Sequence, residues 1–196
     1  MVMASLTYKI AETENEFEQI FKLNYKTFVE EIPQHEMNDE KRLVDKFHVE
    51  NTYLICMEAD HLLGMSAVRD KRPFSLDLKL EDLDSYLPEY KSICEIRLLA
   101  VEPDRRSTRI FGGLILRLAG YCDERHYDLA IMSGTTRQAK LYRHLGFTPF
   151  GPLVGDGDTL FQPMYITLDS YRKLKTTTRV FSDVTYRPEG LSRKNA

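Results

Sequence analysis

The stretch from Ser92 to Phe150 decides the fold. It reads SICEIRLLAV (92–101), EPDRRSTRIFGG (102–113), an apolar run, YDLAIMSG (127–134) and TTRQAKLYRHLGF (135–147). Ile96, Leu98, Leu99, Ala100 and Val101 leave almost no polar face, which predicts a buried strand. Glu95 and Arg97 interrupt that run two residues apart, on the same side of the strand. After a turn at Pro103, an Arg-rich segment runs into Phe111–Tyr121, where Leu114, Leu118 and Tyr121 have helical spacing. Tyr127–Ser133 predicts a second buried strand. Thr135 and Gln138 fit a capping box for a short helix, and Gly146 stands where a left-handed C-cap belongs. Strand–helix–strand order makes the two strands a parallel pair.

Composition bounds the rest. The chain has 196 residues, 42% hydrophobic and 29% charged, with a net charge of −3. That is enough for one domain with a sizeable core, and it gives no reason to expect nucleic acid as a partner. Cys56, Cys94 and Cys122 are too few and too dispersed for a disulfide framework or a zinc site. Five histidines show no paired metal-ligand spacing. No basic leader and no apolar run of membrane-spanning length is visible, so a cytoplasmic protein is expected.

Elsewhere, Leu6–Ile10 predicts a strand. A capping box at Thr13 and Glu16 starts a helix carrying Phe17, Ile20, Phe21, Asn24 and Phe28. Asn38 is placed to cap a second helix with Leu43, Val44 and Phe47 inward. Thr52–Met57 and Leu62–Val68 predict a hairpin turning at Ala59-Asp60-His61. Residues 70–91 contain Asp77, Glu81, Asp82, Asp84 and Glu89. They read either as a functional connection, hinting at a cationic acceptor, or as a solvated flap with one helical turn around Glu81–Tyr86. Met164–Leu168 predicts the last core strand and Asp169–Lys175 a short helix. The domain is expected over residues 1–175, with 176–196 a tail that could add an edge strand at Val180-Phe181 and Val184.

Leu141-Tyr142-Arg143-His144-Leu145-Gly146-Phe147, behind the strand, basic turn, helix and strand of 92–134, resembles the GNAT superfamily of N-acyltransferases. The resemblance covers residues 92–150 and more loosely 6–168. It implies an α/β (α+β) three-layer fold: a central, mostly antiparallel sheet with a splayed parallel pair and helices on both faces. It also implies acyl transfer from a thioester, acetyl-CoA or a longer acyl-CoA, to a primary amine by direct attack, without a metal. The loop departs from the family pattern. Arg106 takes the loop's arginine, but Arg109 and Phe111 stand where the family has two glycines, and Thr135 stands where many members carry Asn.

The chemistry requires a neutral amine, a stabilised oxyanion and a protonated leaving thiolate. Glu95 is the candidate base, because burial strips water from its carboxylate and strengthens its hold on a proton. The alternative is a salt bridge with Arg97 or Arg69. Tyr142 is the candidate acid, implied by the resemblance. The alternative is a core tyrosine. The resemblance also places Leu99, Ala100 and Val101 along the pantetheine arm, with the N–H groups of Leu99 and Val101 facing the oxyanion. Arg105, Arg106 and Arg109 precede a helix N-terminus and suit a phosphate. Phe111, Gly112, Gly113 and Thr135 complete the expected donor site, and Phe28, Arg69 and Arg97 the expected acceptor site.

Without the glycines, a second reading opens. Acyl-homoserine-lactone and N-acyl amino acid synthases include enzymes that take acyl chains from acyl carrier protein, which offers phosphopantetheine without a nucleotide. Phe28, Asp45, Arg69 and Glu95 resemble the lactone-synthase pattern. That branch carries N-terminal tryptophans, absent here, and spaces its strand residues differently from Glu95-Ile96-Arg97. A third reading is a non-catalytic sensor on the same fold. A homodimer is left open.

Overall fold

The computed structural model describes residues 5–106, 108–156 and 159–177. The edge strand expected at Val180–Val184 lies outside them. Eight strands form one sheet: β1 (Leu6–Ile10), β2 (Thr52–Glu58), β3 (His61–Arg69), β4 (Ile93–Val101), β5 (Leu129–Thr135), β6 (Thr148–Pro149), β7 (Val154–Asp156) and β8 (Thr159–Thr167). Their order is β1-β2-β3-β4-β5-β8-β6, with β7 also on β8. Every pairing is antiparallel except β4–β5. Among the described residues four α-helices accompany it: α1 (Glu14–Tyr25), α2 (Thr108–Glu124), α3 (Ala139–His144) and α4 (Leu168–Thr177).

Side-chain alternation builds two cores. Tyr53, Ile55, Met65 and Ala67 meet Ile20, Phe21 and Leu23 of α1 on one face. Leu54, Val68, Cys94 and Ile96 meet Leu118 and Tyr121 of α2, Tyr142 of α3 with Leu145 just after it, and Tyr171 of α4 on the other. The Thr13–Glu16 capping box forms as expected. Gly146, at φ 89°, follows α3. All three cysteines are buried free thiols, with the Cys94 and Cys122 sulfurs 3.9 Å apart.

Four local expectations are corrected. Residues 38–47 form no helix. Their backbone is claimed by α1 instead: Leu43 N–H donates to the Phe21 carbonyl (3.0 Å), and the Asn24 amide donates to the Leu43 carbonyl (3.3 Å). Thr135 makes no capping hydrogen bond. A 3₁₀ turn, Thr136–Gln138, leads into α3, and the Gln138 side chain is taken up by the Tyr142 hydroxyl (2.7 Å). The 70–91 segment is no solvated flap, although its 3₁₀ turn at Leu83–Tyr86 falls where expected. Phe74, Leu76, Leu80 and Leu83 pack beneath β5 and β8 against Leu129, Ile131 and Phe161. Of its acidic groups, Asp77 and Asp84 are paired with Arg72 at 2.5 Å each. The last strand is longer than its apolar core, running Thr159–Thr167.

Gly113 in α2 is explained by close packing. A Cβ there would lie 2.1 Å from the Tyr8 ring of β1. The Tyr8 hydroxyl in turn donates to the Arg109 carbonyl (2.9 Å). Gly113→Ala should therefore lower stability by about 1–3 kcal/mol, as overpacking does. Urea denaturation checks this, with Gly112→Ala as the comparison.

Candidate active site

β4 and β5 pair only at Ile93–Leu129, Cys94–Ala130 and Glu95–Ile131. Beyond Glu95, both strands continue without pairing to each other. β4 stays on β3 with a register shift between Met65 and Ala67, and Leu98 takes φ 53°. A left-handed Leu is uncommon and marks a bulge that turns the strand locally. β5 stays on β8 to Thr135. A wedge opens between the two strands.

A cavity of about 490 Å³ fills the wedge and passes through the sheet. This lies within the usual size range for small-molecule sites, about 300–1,000 Å³. On the α1 face it is lined by Thr27, Phe28, Glu31 and Ile32, by Arg97, Leu98 and Ala100, and by Arg106, while Leu99 and Val101 face α2. On the opposite face Phe111, Ile115, Leu118, Cys122, Tyr127 and Tyr171 form an apolar lobe. Met132, Ser133, Thr135 and Tyr142 stand in the wedge itself.

The α1-side wall comes from a π-helical turn, Lys26–Glu31, continuing α1. Its wider winding, closed by Ile32 N–H on the Thr27 carbonyl (2.9 Å), turns Thr27, Phe28 and Glu31 to the cavity. Such turns recur at functional sites. The sequence gives no signal for this one, because Lys-Thr-Phe-Val-Glu-Glu reads as ordinary helix.

Tyr142 is buried against Gly134 of β5, where a Cβ would come within 2.7 Å of its ring. Burial pushes its hydroxyl up to about 12. The phenol is therefore a protonated donor throughout the neutral range. Since the native value lies above the unfolded one, its contribution to stability is complete below pH 10 and lost as pH rises toward 12.

Three polar atoms in the cavity wall are buried without a hydrogen-bond partner: Thr27 Oγ1, Arg97 Nε and Ser133 Oγ. Buried polar groups are normally paired. All three belong to residues that line the cavity.

Glu95 does not line the cavity and is 1% exposed. Its carboxylate accepts from Ser75 N–H (2.9 Å), the Ser75 hydroxyl (2.5 Å), Leu76 N–H (3.2 Å) and Arg97 Nη1 (3.2 Å). Arg97 also donates to Asp45 (2.7 Å). Arg69 pairs with Glu50 rather than Glu95, and it too lies off the cavity. The Phe47 ring lies 4.0 Å from the Arg69 guanidinium and 4.8 Å from that of Arg97. Lys46 Nζ lies 4.9 Å from the same ring, so three cations are gathered there with Asp45, Glu50 and Glu95.

Leu99, Ala100, Val101, Arg106, Phe111, Thr135 and Tyr142 line the cavity with Phe28 and Arg97, whereas Arg105, Arg109, Gly112 and Gly113 do not. Arg105 is paired with Glu58, and Arg106 with Glu31. The Arg109 side chain is exposed. Among the described residues, no three His, Cys, Asp or Glu side chains are grouped to hold a metal. No described helix is long and apolar enough to cross a membrane.

A splayed parallel pair in a mixed sheet covered on both faces is the GNAT acyltransferase fold. Solved structures share it. LasI, an acyl-homoserine-lactone synthase, superposes with a TM-score of 0.73 at 15% identity, covering 95% of this chain and 100% of that one. FeeM, an N-acyl amino acid synthase from uncultured soil microbes, gives 0.69 at 16%, covering 88% and 96%. BjaI, a CoA-dependent acyl-homoserine lactone synthase determined with SAM and isopentyl-CoA, gives 0.69 at 20%, covering 83% and 82%. No curated protein sequence matches the chain. Residues 19–161 match the family described as N-acyl amino acid synthase FeeM. The chain belongs to that family and is an N-acyltransferase.

Glu95 is the keystone of the α1-side wall. Glu95→Ala would leave buried donors, Arg97 among them, without their partner. A loss of about 3–5 kcal/mol is expected, together with faster proteolysis within 70–91. Denaturant titration and limited proteolysis measure both.

Proposed function

We propose that the protein transfers a medium or long acyl chain from a phosphopantetheine thioester to the primary amine of an amino-acid-like acceptor. The observation that carries this reading is the cavity through the sheet. It is apolar toward α2 and α4, and on the α1 side it ends in the unpartnered Arg97 Nε and Thr27 hydroxyl. The apolar lobe suits an acyl tail. Arg97 Nε and the Thr27 hydroxyl suit an acceptor carboxylate or carbonyl.

The thioester carbonyl would sit in the wedge, its oxygen toward the N–H groups of Leu99 and Val101. The amine enters from the α1 side and forms the C–N bond. The C–S bond then breaks, the thiolate takes a proton from Tyr142, which is protonated throughout the neutral range, and the proton shed by the amide nitrogen restores the phenol through solvent. Glu95 holds Arg97 and the 74–76 backbone in place, a positioning rather than a proton-transfer task.

The donor is more simply a carrier protein than free coenzyme A. Gly113 is occupied with Tyr8, and Phe111 and Arg109 replace backbone that could approach a diphosphate. Arginine side chains are what remains for one phosphate. The α1 face and Arg97 speak against the sensor reading, since that arrangement presents both reactants to one gap.

Melting temperature with each donor tests the proposal, because a ligand bound only to the folded state raises it. Long-chain acyl carrier protein should raise it, and acetyl-CoA should not. A shift with long-chain acyl-CoA alone would move the donor to coenzyme A. No shift with any donor would overturn the reading. With the working donor, Tyr142→Phe should lower kcat about 10²-fold or more.

A further inference from the structure

The site still needs a group to take the ammonium proton, and Glu95 is closed in by donors. Glu31 is the one carboxylate among the residues lining the cavity. It ends the π-helical turn on the acceptor side, one turn from Thr27 and beside Phe28. Its two oxygens accept from Arg106 Nη1 (2.8 Å) and Nη2, a bidentate pair. Arg106 lies between β4 and α2, and it also lines the cavity. The pair therefore spans the entrance from the acceptor wall to the donor wall.

Both side chains are partly exposed, 40% for Glu31 and 48% for Arg106. Exposed pairs are weak and exchangeable. A phosphate offers Arg106 the same fork of oxygens with more charge. Arg105, next in line, is occupied by Glu58. Glu31 thus holds the place a donor phosphate would take.

We propose that Glu31 is the catalytic base and is released by the donor: the phosphate of phosphopantetheine takes Arg106 from Glu31, and the freed carboxylate turns to the acceptor ammonium. One N–H proton passes to Glu31, leaving the nitrogen lone pair for the thioester carbon. The C–N bond forms, the C–S bond breaks, the thiolate takes the Tyr142 proton, and the second proton lost by the nitrogen passes through solvent to restore the Tyr142 hydroxyl. Glu31, being partly exposed, returns its proton to water. Donor binding thereby precedes base function, so the acceptor is deprotonated only when a thioester is present. This inference rests on the acyl-transfer reading above for its chemistry, but the Arg106 exchange is separately measurable.

The binding arm compares a long-chain S-alkyl phosphopantetheine thioether with its dephosphorylated form. Glu31→Gln should bind the phosphorylated probe several-fold more tightly than wild type does and leave the dephosphorylated probe unchanged. Arg106→Ala should lose the preference for phosphate. Equal or weaker binding of the phosphorylated probe by Glu31→Gln overturns the exchange. The turnover arm uses the working donor. Glu31→Gln should lower kcat for an amino acid about 10²-fold or more. It should keep near wild-type rates with a hydrazide acceptor, whose terminal nitrogen is neutral at neutral pH. Glu31→Asp should recover part of the amino acid rate. Unchanged kcat, or equal losses with both acceptors, removes Glu31 as base. A wild type that transfers to no amine overturns the acyl-transfer reading instead, and the binding arm still decides the exchange.

Discussion

The parting of β4 from β5 after Glu95 is the constraint on which the rest of the structure depends. Three residue pairs hold the two strands together, and beyond them each is committed to another neighbour, β3 or β8. Two strand edges then face each other across a gap inside the protein. Such edges must be filled or used. Here Tyr142 closes part of the gap from one face, seated on Gly134, and the remainder is open space lined largely by apolar side chains.

Holding the wedge open requires a rigid wall on the α1 face. That wall is ionic where the opposite face is apolar. Glu95 gathers Arg97 and the backbone of Ser75 and Leu76, Arg97 gathers Asp45, and Phe47 lies against both Arg69 and Arg97. Four separate segments meet there. Buried charges are costly unless each finds its partners, so the network fixes one arrangement of 45–50 and 73–76 around β4. The same low-dielectric surroundings strengthen whatever the unpartnered Arg97 Nε meets.

Much of this was legible in the sequence, for identifiable reasons. ICEIRLLAV and DLAIMSG announce buried strands because they are short apolar runs with almost no polar face, and Leu-Tyr-x-x-x-Gly-Phe locates Tyr142 and the Gly146 cap. What was hidden depends on distant partners. Residues 38–47 carry an Asn and apolar spacing fit for a helix, yet Phe21 and Asn24 claim their backbone. The bulge at Leu98 has no glycine to advertise it. Glu95 was expected to be desolvated and reactive. It is buried, but two amides and a hydroxyl from a segment twenty residues away occupy it, and no local pattern predicts that. Glu31 reads as one charge among several before Pro33. Only the π-helical turn brings it to the cavity.

The far end of the cavity is built differently from its centre. Leu168 and Tyr171, which line it there, belong to α4, the last described helix, which starts directly from β8 and is tied to the end of α2 by Arg172 on Asp123 (2.8 Å). In the reading proposed above, the depth available to an acyl tail is measured by an element that shares no residue with the wedge. On that reading bond-making and chain-length discrimination are modular: sequence drift in α4 can lengthen or shorten the ruler while the chemistry stays as it is.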